Sequence, residues 1–130
     1  MFALDTNVLV RYIVQDDKVQ AGKATKIIEG LSADSPAFIS CIVLCEINWV
    51  LKSTYKTSKQ ERLGVLQNLL SVPVFDIEQL DNCVRALKYY QDGKADFSDY
   101  LIQDISRIHG YEILLTFDKK AQASKGFKGL

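Results

Sequence analysis

Four carboxylates stand where they could do chemistry together, namely Asp5, Glu46, Asp99 and Asp118. Asp5 and Asp118 each follow directly on a short apolar run that is typical of a β-strand. In open α/β sheets the functional crevice lies outside the carboxyl ends of the strands, so both acids fall where a site would form. A solvated turn aspartate also explains either position when it is taken alone.

Glu46 lies inside the apolar run at residues 42–52, for which we predict a mostly buried helix. Helical spacing places Ile42, Trp49 and Val50 on the same face as this glutamate. An ionised glutamate among apolar side chains is costly unless it is paired or coordinates a metal. The sequence therefore predicts a buried Glu46 that has either a basic or backbone partner or a metal ion.

Asp96 and Asp99 occur in ADFSDYLI at residues 95–102. If a helix begins near Ser98, Asp99 lies in its first turn, where a carboxylate interacts favourably with the helix dipole. Helix-start acids are common, so one of the two acids is open to a purely capping role. Residues 92–104 hold four acids and one lysine, a local net charge of minus three.

Convergence of these acids would require a counter-charge. Two like charges about 4 Å apart repel by roughly 4 kcal/mol at an effective dielectric constant of about 20. A divalent cation is the natural compensation, and ligands that are all oxygen select Mg²⁺ or Mn²⁺. Such an ion activates water and clamps a phosphodiester. If the acids converge, the chemistry indicated is phosphodiester hydrolysis. Spacing along the sequence does not by itself establish that they converge.

Composition limits the alternatives. The 130 residues are 48% apolar and 25% charged, as expected for one soluble domain over residues 1–130. Sixteen basic and sixteen acidic residues cancel, which excludes bulk electrostatic attraction as the main source of affinity for nucleic acid or membranes. The single histidine excludes a multi-histidine zinc site. Three cysteines, with no signal peptide and no long apolar span, favour the cytoplasm.

The elements that must position the acids alternate along the chain. We predict strands at residues 2–4, 36–40, 72–77 and 112–117, with a possible last strand at 127–130. We predict helices at residues 8–14, 16–31, 42–52, 59–70, 80–90, 98–109 and 119–124. This alternation predicts an α/β fold with one central parallel sheet of four to five strands flanked by helices.

Several of these pieces match a known family. They are LDTNVL at residues 4–9, Glu46 in the third helix, ADFSDYLI at 95–102 and LTFDKK at 115–120. They occur in the family's order and cover the chain from end to end. The chain resembles the PIN-domain ribonucleases, specifically the VapC-type toxins of prokaryotic toxin–antitoxin pairs.

The resemblance implies a PIN-like nuclease domain that cleaves RNA internally with Mg²⁺ or Mn²⁺. It carries the acidic quartet onto Asp5, Glu46, Asp99 and Asp118. By this carry-over Asp5 and Asp99 are the principal metal ligands, while Glu46 and Asp118 complete the shell, position water or hold a second ion.

The resemblance also implies accessory groups and partners. Thr6, Asn7 and Thr116 would orient the carboxylates and water. Asp96 is either an accessory ligand or a helix-capping acid. VapC-type toxins commonly form homodimers and are inhibited by a small antitoxin protein, and both properties are expected here.

Two lysine-rich segments offer contacts to RNA despite the zero net charge. Residues 52–62 and 118–130 each carry a local charge of plus three, and the candidates for phosphate contacts are Lys52, Lys56, Lys119 and Lys120. Ordinary solvated faces are the alternative. The tyrosines considered for base stacking, against a packing role, are Tyr12, Tyr55, Tyr89 and Tyr90.

Three other classes of protein compete with this interpretation. Residues 5–9 nearly match the haloacid-dehalogenase phosphatase signature, but Asn7 replaces its second aspartate. A phosphoacceptor receiver domain fits the length and Asp76, but Asp5 lacks an acidic neighbour. A non-catalytic binding module on the same fold would tolerate degenerate acids, whereas all four are intact here.

Overall fold

A computed structural model describes residues Met1–Leu130 and contains seven α-helices and four β-strands. The helices are α1 Thr6–Val14, α2 Lys18–Glu29, α3 Cys41–Ser53, α4 Lys59–Ser71, α5 Leu80–Asp92, α6 Phe97–Ile108 and α7 Lys119–Gln122. The strands are β1 Ala37–Ile39, β2 Phe75–Ile77, β3 Leu114–Thr116 and β4 Phe127–Gly129. From the first helix onward the predicted order of helices and strands is confirmed, including the last strand, but the strand predicted at residues 2–4 does not form. None of the helices is both long and apolar enough to span a membrane.

Capping side chains set most of the helix starts. Ser58 accepts a 3.1 Å hydrogen bond from the backbone N–H of Glu61 at the start of α4, as the sequence predicts. Asp5 caps α1, which begins at Thr6, two residues earlier than predicted. The N-cap of α6 is Asp96 instead of the predicted Ser98, because Asp96 and Asp99 form a reciprocal capping box.

The strands form two separate parallel sheets of two strands each. β1 pairs with β2, with Phe38 opposite Asp76, and β3 pairs with β4, with Leu115 opposite Lys128. The prediction of one central sheet of four to five strands is therefore not what the structure shows. Each strand has only three residues, and the predicted first strand makes a single bridge, from Ala3 to Phe38.

The chain divides into two compact units, Met1–Glu78 and Gln79–Leu130. In the first unit α1 packs on α2 and α3, and α3 packs on α4. Fully buried side chains there include Leu9, Ile39 and Leu44. In the second unit α5 packs on α6, with the rings of Tyr90 and Phe97 6.1 Å apart.

A carboxylate links β2 to the start of α3 in the first unit. The backbone N–H of Glu78 donates to the carbonyl of Ile39, which places Glu78 beside the first turn of α3. Its Oε1 accepts hydrogen bonds of 3.1 Å from both the backbone N–H and the thiol of Cys41. Burial, together with the hydrogen bond and charge of Glu78, raises the pKa of the Cys41 thiol to about 11.

A fully buried carboxylate, Asp104 of α6, organises the second unit. It accepts hydrogen bonds from Asn82 Nδ2 at 2.8 Å, Arg85 Nε at 3.0 Å and Arg107 Nη2 at 3.0 Å. Burial opposes ionisation, but the hydrogen bonds from Arg107, Asn82 and Arg85 outweigh it and lower the pKa of Asp104. Asp104 thus binds α5 to α6 as an ionised group.

Candidate functional site

One residue of the first unit holds two of the predicted carboxylates. The backbone N–H of Thr6 donates to Asp5 Oδ1 at 2.8 Å, and the Thr6 hydroxyl donates to Glu46 Oε1, also at 2.8 Å. Thr6 is only 7% exposed, so these donors are held by the core. The structure therefore brings Asp5 and Glu46 together around Thr6.

Asp5 is positioned by the backbone pairing of Leu4 before it and by helix α1 after it. Leu4 is buried, and its backbone N–H donates to the carbonyl of Phe38 at 2.9 Å. The carbonyl of Asp5 then accepts the first helical hydrogen bond of α1, from Val8 at 3.1 Å. Asp5 itself is exposed, and its carboxylate lies at the positive end of the helix dipole.

Glu46 is exposed, so the prediction that it is buried was wrong. The other face of α3 supplies the core, with Leu44 and Ile47 fully buried. Of the apolar side chains that share the face of Glu46, Ile42 is 67% exposed and Trp49 63%, whereas Val50 is half-buried. Its hydrogen-bond partner is the hydroxyl of Thr6, which belongs to neither class of partner that the sequence suggested.

Two predicted acids lie at the start of α6 in the second unit. Asp99 Oδ2 accepts a 3.0 Å hydrogen bond from the backbone N–H of Asp96. Burial raises the pKa of Asp99, and the charges of Asp118 and Asp96 raise it further, although the hydrogen bond from Asp96 lowers it. The second unit therefore holds three acids close enough for their charges to interact.

Asp118 caps the short helix α7. Its Oδ1 accepts hydrogen bonds from the backbone N–H groups of Lys120 at 2.8 Å and Ala121 at 3.3 Å. The hydroxyl of Thr116 accepts from the backbone N–H of Asp118 at 3.0 Å, which fixes the end of β3. Thr116 therefore contacts the backbone of Asp118, and its role in orienting the carboxylate stays a prediction.

The donor chemistry of these side chains fits a hard divalent cation. Asp5 and Glu46 in the first unit, and Asp96, Asp99 and Asp118 in the second, supply carboxylate oxygens without histidine or cysteine. The repulsion that raises the pKa of Asp99 is of the kind that a cation relieves. Neither unit brings three or more histidine, cysteine or acidic side chains around one position that could hold a metal ion.

Asn7 directly follows Thr6 in the first turn of α1. It is exposed and lines a cavity of about 320 Å³ between α1 and α2, together with Arg11, Lys23 and Ile27. A larger cavity of about 740 Å³ in the second unit is lined by residues such as Tyr100 and Arg107, and by none of the predicted carboxylates.

The predicted phosphate contacts are all on the surface. Lys52, Lys56, Lys119 and Lys120 form the exposed candidate set, of which the last two begin α7 directly after Asp118. Of the tyrosines considered for base stacking, Tyr89 is 51% exposed and Tyr12 is half-buried. The hydroxyl of Tyr55 accepts from Arg11 and donates to Asp16, Tyr90 is buried, and the ring of Tyr89 lies 6.1 Å from that of Tyr100.

Sequence reasoning missed two exposed aromatic residues beside the acids. Trp49 follows Glu46 by three residues on α3, and Phe117, which is 77% exposed, directly precedes Asp118. Each was visible as an aromatic neighbour of a candidate carboxylate. Their apolar character led to the expectation that they belonged to the core.

Comparisons with known proteins identify the family to which this chain belongs. A search of curated proteins found no match to the chain. A comparison with protein families matched residues 2–127 to the PIN domain. PIN domains are generally metal-dependent nucleases that act on RNA or other nucleic acids. Because the match spans both compact units and nearly the whole sequence, the chain belongs to the PIN-domain family.

Proposed function

We propose that this protein is a Mg²⁺- or Mn²⁺-dependent endoribonuclease that hydrolyses RNA phosphodiester bonds. The observation that carries the proposal is the pair of hydrogen bonds by which Thr6 holds Asp5 and Glu46. Membership of the PIN family supports it, because PIN domains are generally metal-dependent nucleases. Capping of α1 alone accounts for the bond to Asp5, so the more informative of the two bonds is the one from the Thr6 hydroxyl to Glu46, which caps no helix.

In this proposal Asp5 and Asp99 are the principal ligands, and Glu46 and Asp118 complete the set. A divalent cation held by such carboxylates would supply an activated water and would stabilise charge on the phosphodiester. Thr6 holds Glu46 by Oε1, which restricts the orientation of this carboxylate. Asp96 acts as a helix-capping acid that orients Asp99 through the capping box.

The exposed lysines contribute to substrate binding in this proposal. Lys119 and Lys120 follow Asp118 in the first turn of α7, so an RNA phosphate near Asp118 lies within reach of positive charge. Lys52 and Lys56 supply positive charge at the end of α3 and the loop after it. Such contacts position the backbone of RNA without reading its bases.

A direct assay tests the endoribonuclease. Purified protein is incubated with RNA and Mg²⁺ or Mn²⁺, with and without chelator, beside Asp5→Asn and Asp99→Asn variants. Asp34→Asn is the matched control, because Asp34 is an exposed acid in the loop before β1. We expect internal cleavage by wild type and control, and a loss of about 100-fold or more in both site variants. Cleavage that survives chelation or both substitutions contradicts the proposal.

We also propose that the nuclease is the toxin of a toxin–antitoxin pair, active as a homodimer and inhibited by a small antitoxin protein. The likeness of residues 4–9 and 115–120 to VapC-type motifs supports this role. Expression of the wild type should arrest growth, and expression of Asp5→Asn should not. Co-expression of a short neighbouring reading frame should restore growth. Failure to arrest growth, with RNA cleavage intact in vitro, contradicts the toxin role and leaves the nuclease standing.

A further inference from the structure

The exposed face of α3 combines a carboxylate with two large apolar side chains. Glu46 lies on this face between Ile42, which is 67% exposed, and Trp49, which is 63% exposed. Trp49 is the only tryptophan of the chain. An isolated exposed apolar residue is ordinary, but here two of them share one helix face with a candidate site residue, and the inference starts from this combination.

Helix geometry fixes the order along this surface. Ile42 precedes Glu46 by four residues and Trp49 follows it by three, so all three side chains lie along one side of α3. At 1.5 Å of rise per residue, the backbone of Trp49 lies about 4.5 Å from that of Glu46 along the helix axis. The two side chains therefore leave α3 less than one helical turn apart.

We propose that Trp49 is a stacking platform for an unpaired base of a single-stranded RNA substrate, next to the phosphodiester served by Glu46. The inference rests on the proposed endoribonuclease function. Aromatic side chains stack on bases only when the bases are splayed out of a duplex, so the platform selects single-stranded segments. Stacking tolerates any base, so Trp49 contributes affinity and position instead of sequence choice.

The chemistry of the face favours a nucleotide over a protein partner. A protein that covered Ile42 and Trp49 would also bury the carboxylate of Glu46, which is costly without a paired charge. A nucleotide would present an aromatic base to the indole, and a cation held at Glu46 would offset the repulsion between its phosphate and the carboxylate. Lys52, exposed and three residues beyond Trp49, adds a positive charge for the phosphate backbone.

The single tryptophan makes the inference directly measurable. The probe is an eight-nucleotide single-stranded RNA titrated in Mg²⁺ into the Asp99→Asn protein, in which the RNA is expected to stay intact. We expect quenching of Trp49 emission that follows binding measured separately by fluorescence anisotropy of a labelled oligonucleotide. A duplex of the same sequence, and a strand with abasic sites, should leave the emission unchanged.

Substitutions in the same Asp99→Asn background provide a second readout. Trp49→Ala should weaken binding of the single strand about tenfold, and Trp49→Phe should keep it within about threefold of the parent. Val19→Ala is the matched control, since Val19 is 68% exposed on α2. Circular dichroism checks that each variant is folded. The emission assay uses the parent Asp99→Asn protein, so it gives an answer even if Trp49→Ala does not fold.

Each other outcome is decisive. If the RNA binds without changing the emission of Trp49, and Trp49→Ala binds the RNA as tightly as its parent, the stacking role is overturned but the nuclease is not. Equal quenching by duplex RNA overturns the selection of single strands. Absence of RNA binding by this protein overturns the inference, while the cleavage assay on the wild type decides the proposed function separately. An emission shift that follows protein concentration without RNA would place a second copy of the chain on this face and would also overturn the inference.

Discussion

The Thr6 hydroxyl lies 2.8 Å from Glu46 Oε1 and donates a hydrogen bond to it. A hydrogen bond to a charged acceptor is about twice as strong as one between neutral groups, and threonine is stiff at its first side-chain torsion. Glu46 is exposed on α3, where a free glutamate would sample many rotamers. Thr6 thus converts a mobile surface acid into an oriented one.

Removal of this hydroxyl should reduce activity without unfolding the protein. We expect Thr6→Val to lower RNA cleavage by about 10- to 100-fold, because groups that orient ligands typically contribute that much. Valine keeps the volume of the buried side chain, and the backbone hydrogen bond from residue 6 to Asp5 remains. Thr6→Ser retains the hydroxyl and is the control. Equal activity of the valine and serine variants would contradict a role in orienting Glu46.

Two substitutions at Asp99 should separate its helix-capping role from its chemistry. Asn keeps an oxygen for the backbone N–H of Asp96, whereas Ala removes it and should cost about 1 kcal/mol relative to Asn. Asn also removes a negative charge near Asp96 and Asp118, so its melting temperature should equal or exceed that of wild type. Thermal unfolding in chelator measures both. An Asn variant as unstable as the Ala variant would show that the capping box contributes nothing.

Asp104 should be among the most sensitive positions for stability. We expect Asp104→Asn to reduce the free energy of unfolding by about 2–4 kcal/mol, because a buried amide cannot balance the guanidinium groups of Arg85 and Arg107. The estimate lies below the full cost of breaking a buried pair, because both arginines are partly exposed. Urea unfolding beside the exposed-acid control Asp76→Asn measures it. A loss no larger than that of the control would contradict the structural role.

The same carboxylate predicts a dependence of stability on pH. The pKa of Asp104 is lowered in the fold, so the folded state holds fewer protons on this group than the unfolded state does. Its contribution is therefore complete above its ordinary pKa of about 3.9 and is lost as the pH falls through the lowered pKa. The difference in unfolding free energy between wild type and Asp104→Asn should shrink below about pH 4. A difference that stays constant down to pH 2.5 would refute this assignment.

The Cys41 thiol should react slowly with alkylating reagents. With a pKa of about 11, only about one thiol in a thousand is ionised at pH 8, and the thiolate is the reactive form. Glu78→Gln removes the charge that contributes to the raised pKa and should speed alkylation of Cys41, as followed by mass spectrometry of the peptide. A cysteine-containing reference peptide reports the reagent's own pH dependence. Unchanged reactivity in Glu78→Gln would leave burial as the sole cause.

Capping chemistry explains why most elements could be predicted from the sequence. Ser58 with Glu61 marked the start of α4, and His109 closes α6 as expected from the glycine that follows it. The start of α6 was wrong because two capping residues, Asp96 and Ser98, compete within three positions. The hydrogen bond from the backbone N–H of Asp96 to the carboxylate of Asp99 identifies Asp96 as the N-cap.

Tertiary contacts explain what the sequence did not reveal. The apolar pattern of α3 does not distinguish a core face from an exposed one, so Glu46 was expected to be buried among Ile42 and Trp49. Asp104 resembled an ordinary surface acid, because its partners Asn82 and Arg85 are on another helix. The hydrogen bond from Thr6 to Glu46 has the same character, since it joins residues of α1 and α3.

The helix caps change how the sequences of relatives should be interpreted. Asp5, Asp96 and Asp118 are N-cap residues, and Asp99 completes a capping box, so folding alone is enough to retain an aspartate at each place. A relative that has lost its nuclease activity can therefore still retain these four residues. Glu46 lies in the middle of α3 and caps nothing. The presence of both Glu46 and Thr6 in a relative therefore distinguishes an active nuclease from an inactive one better than the four aspartates do.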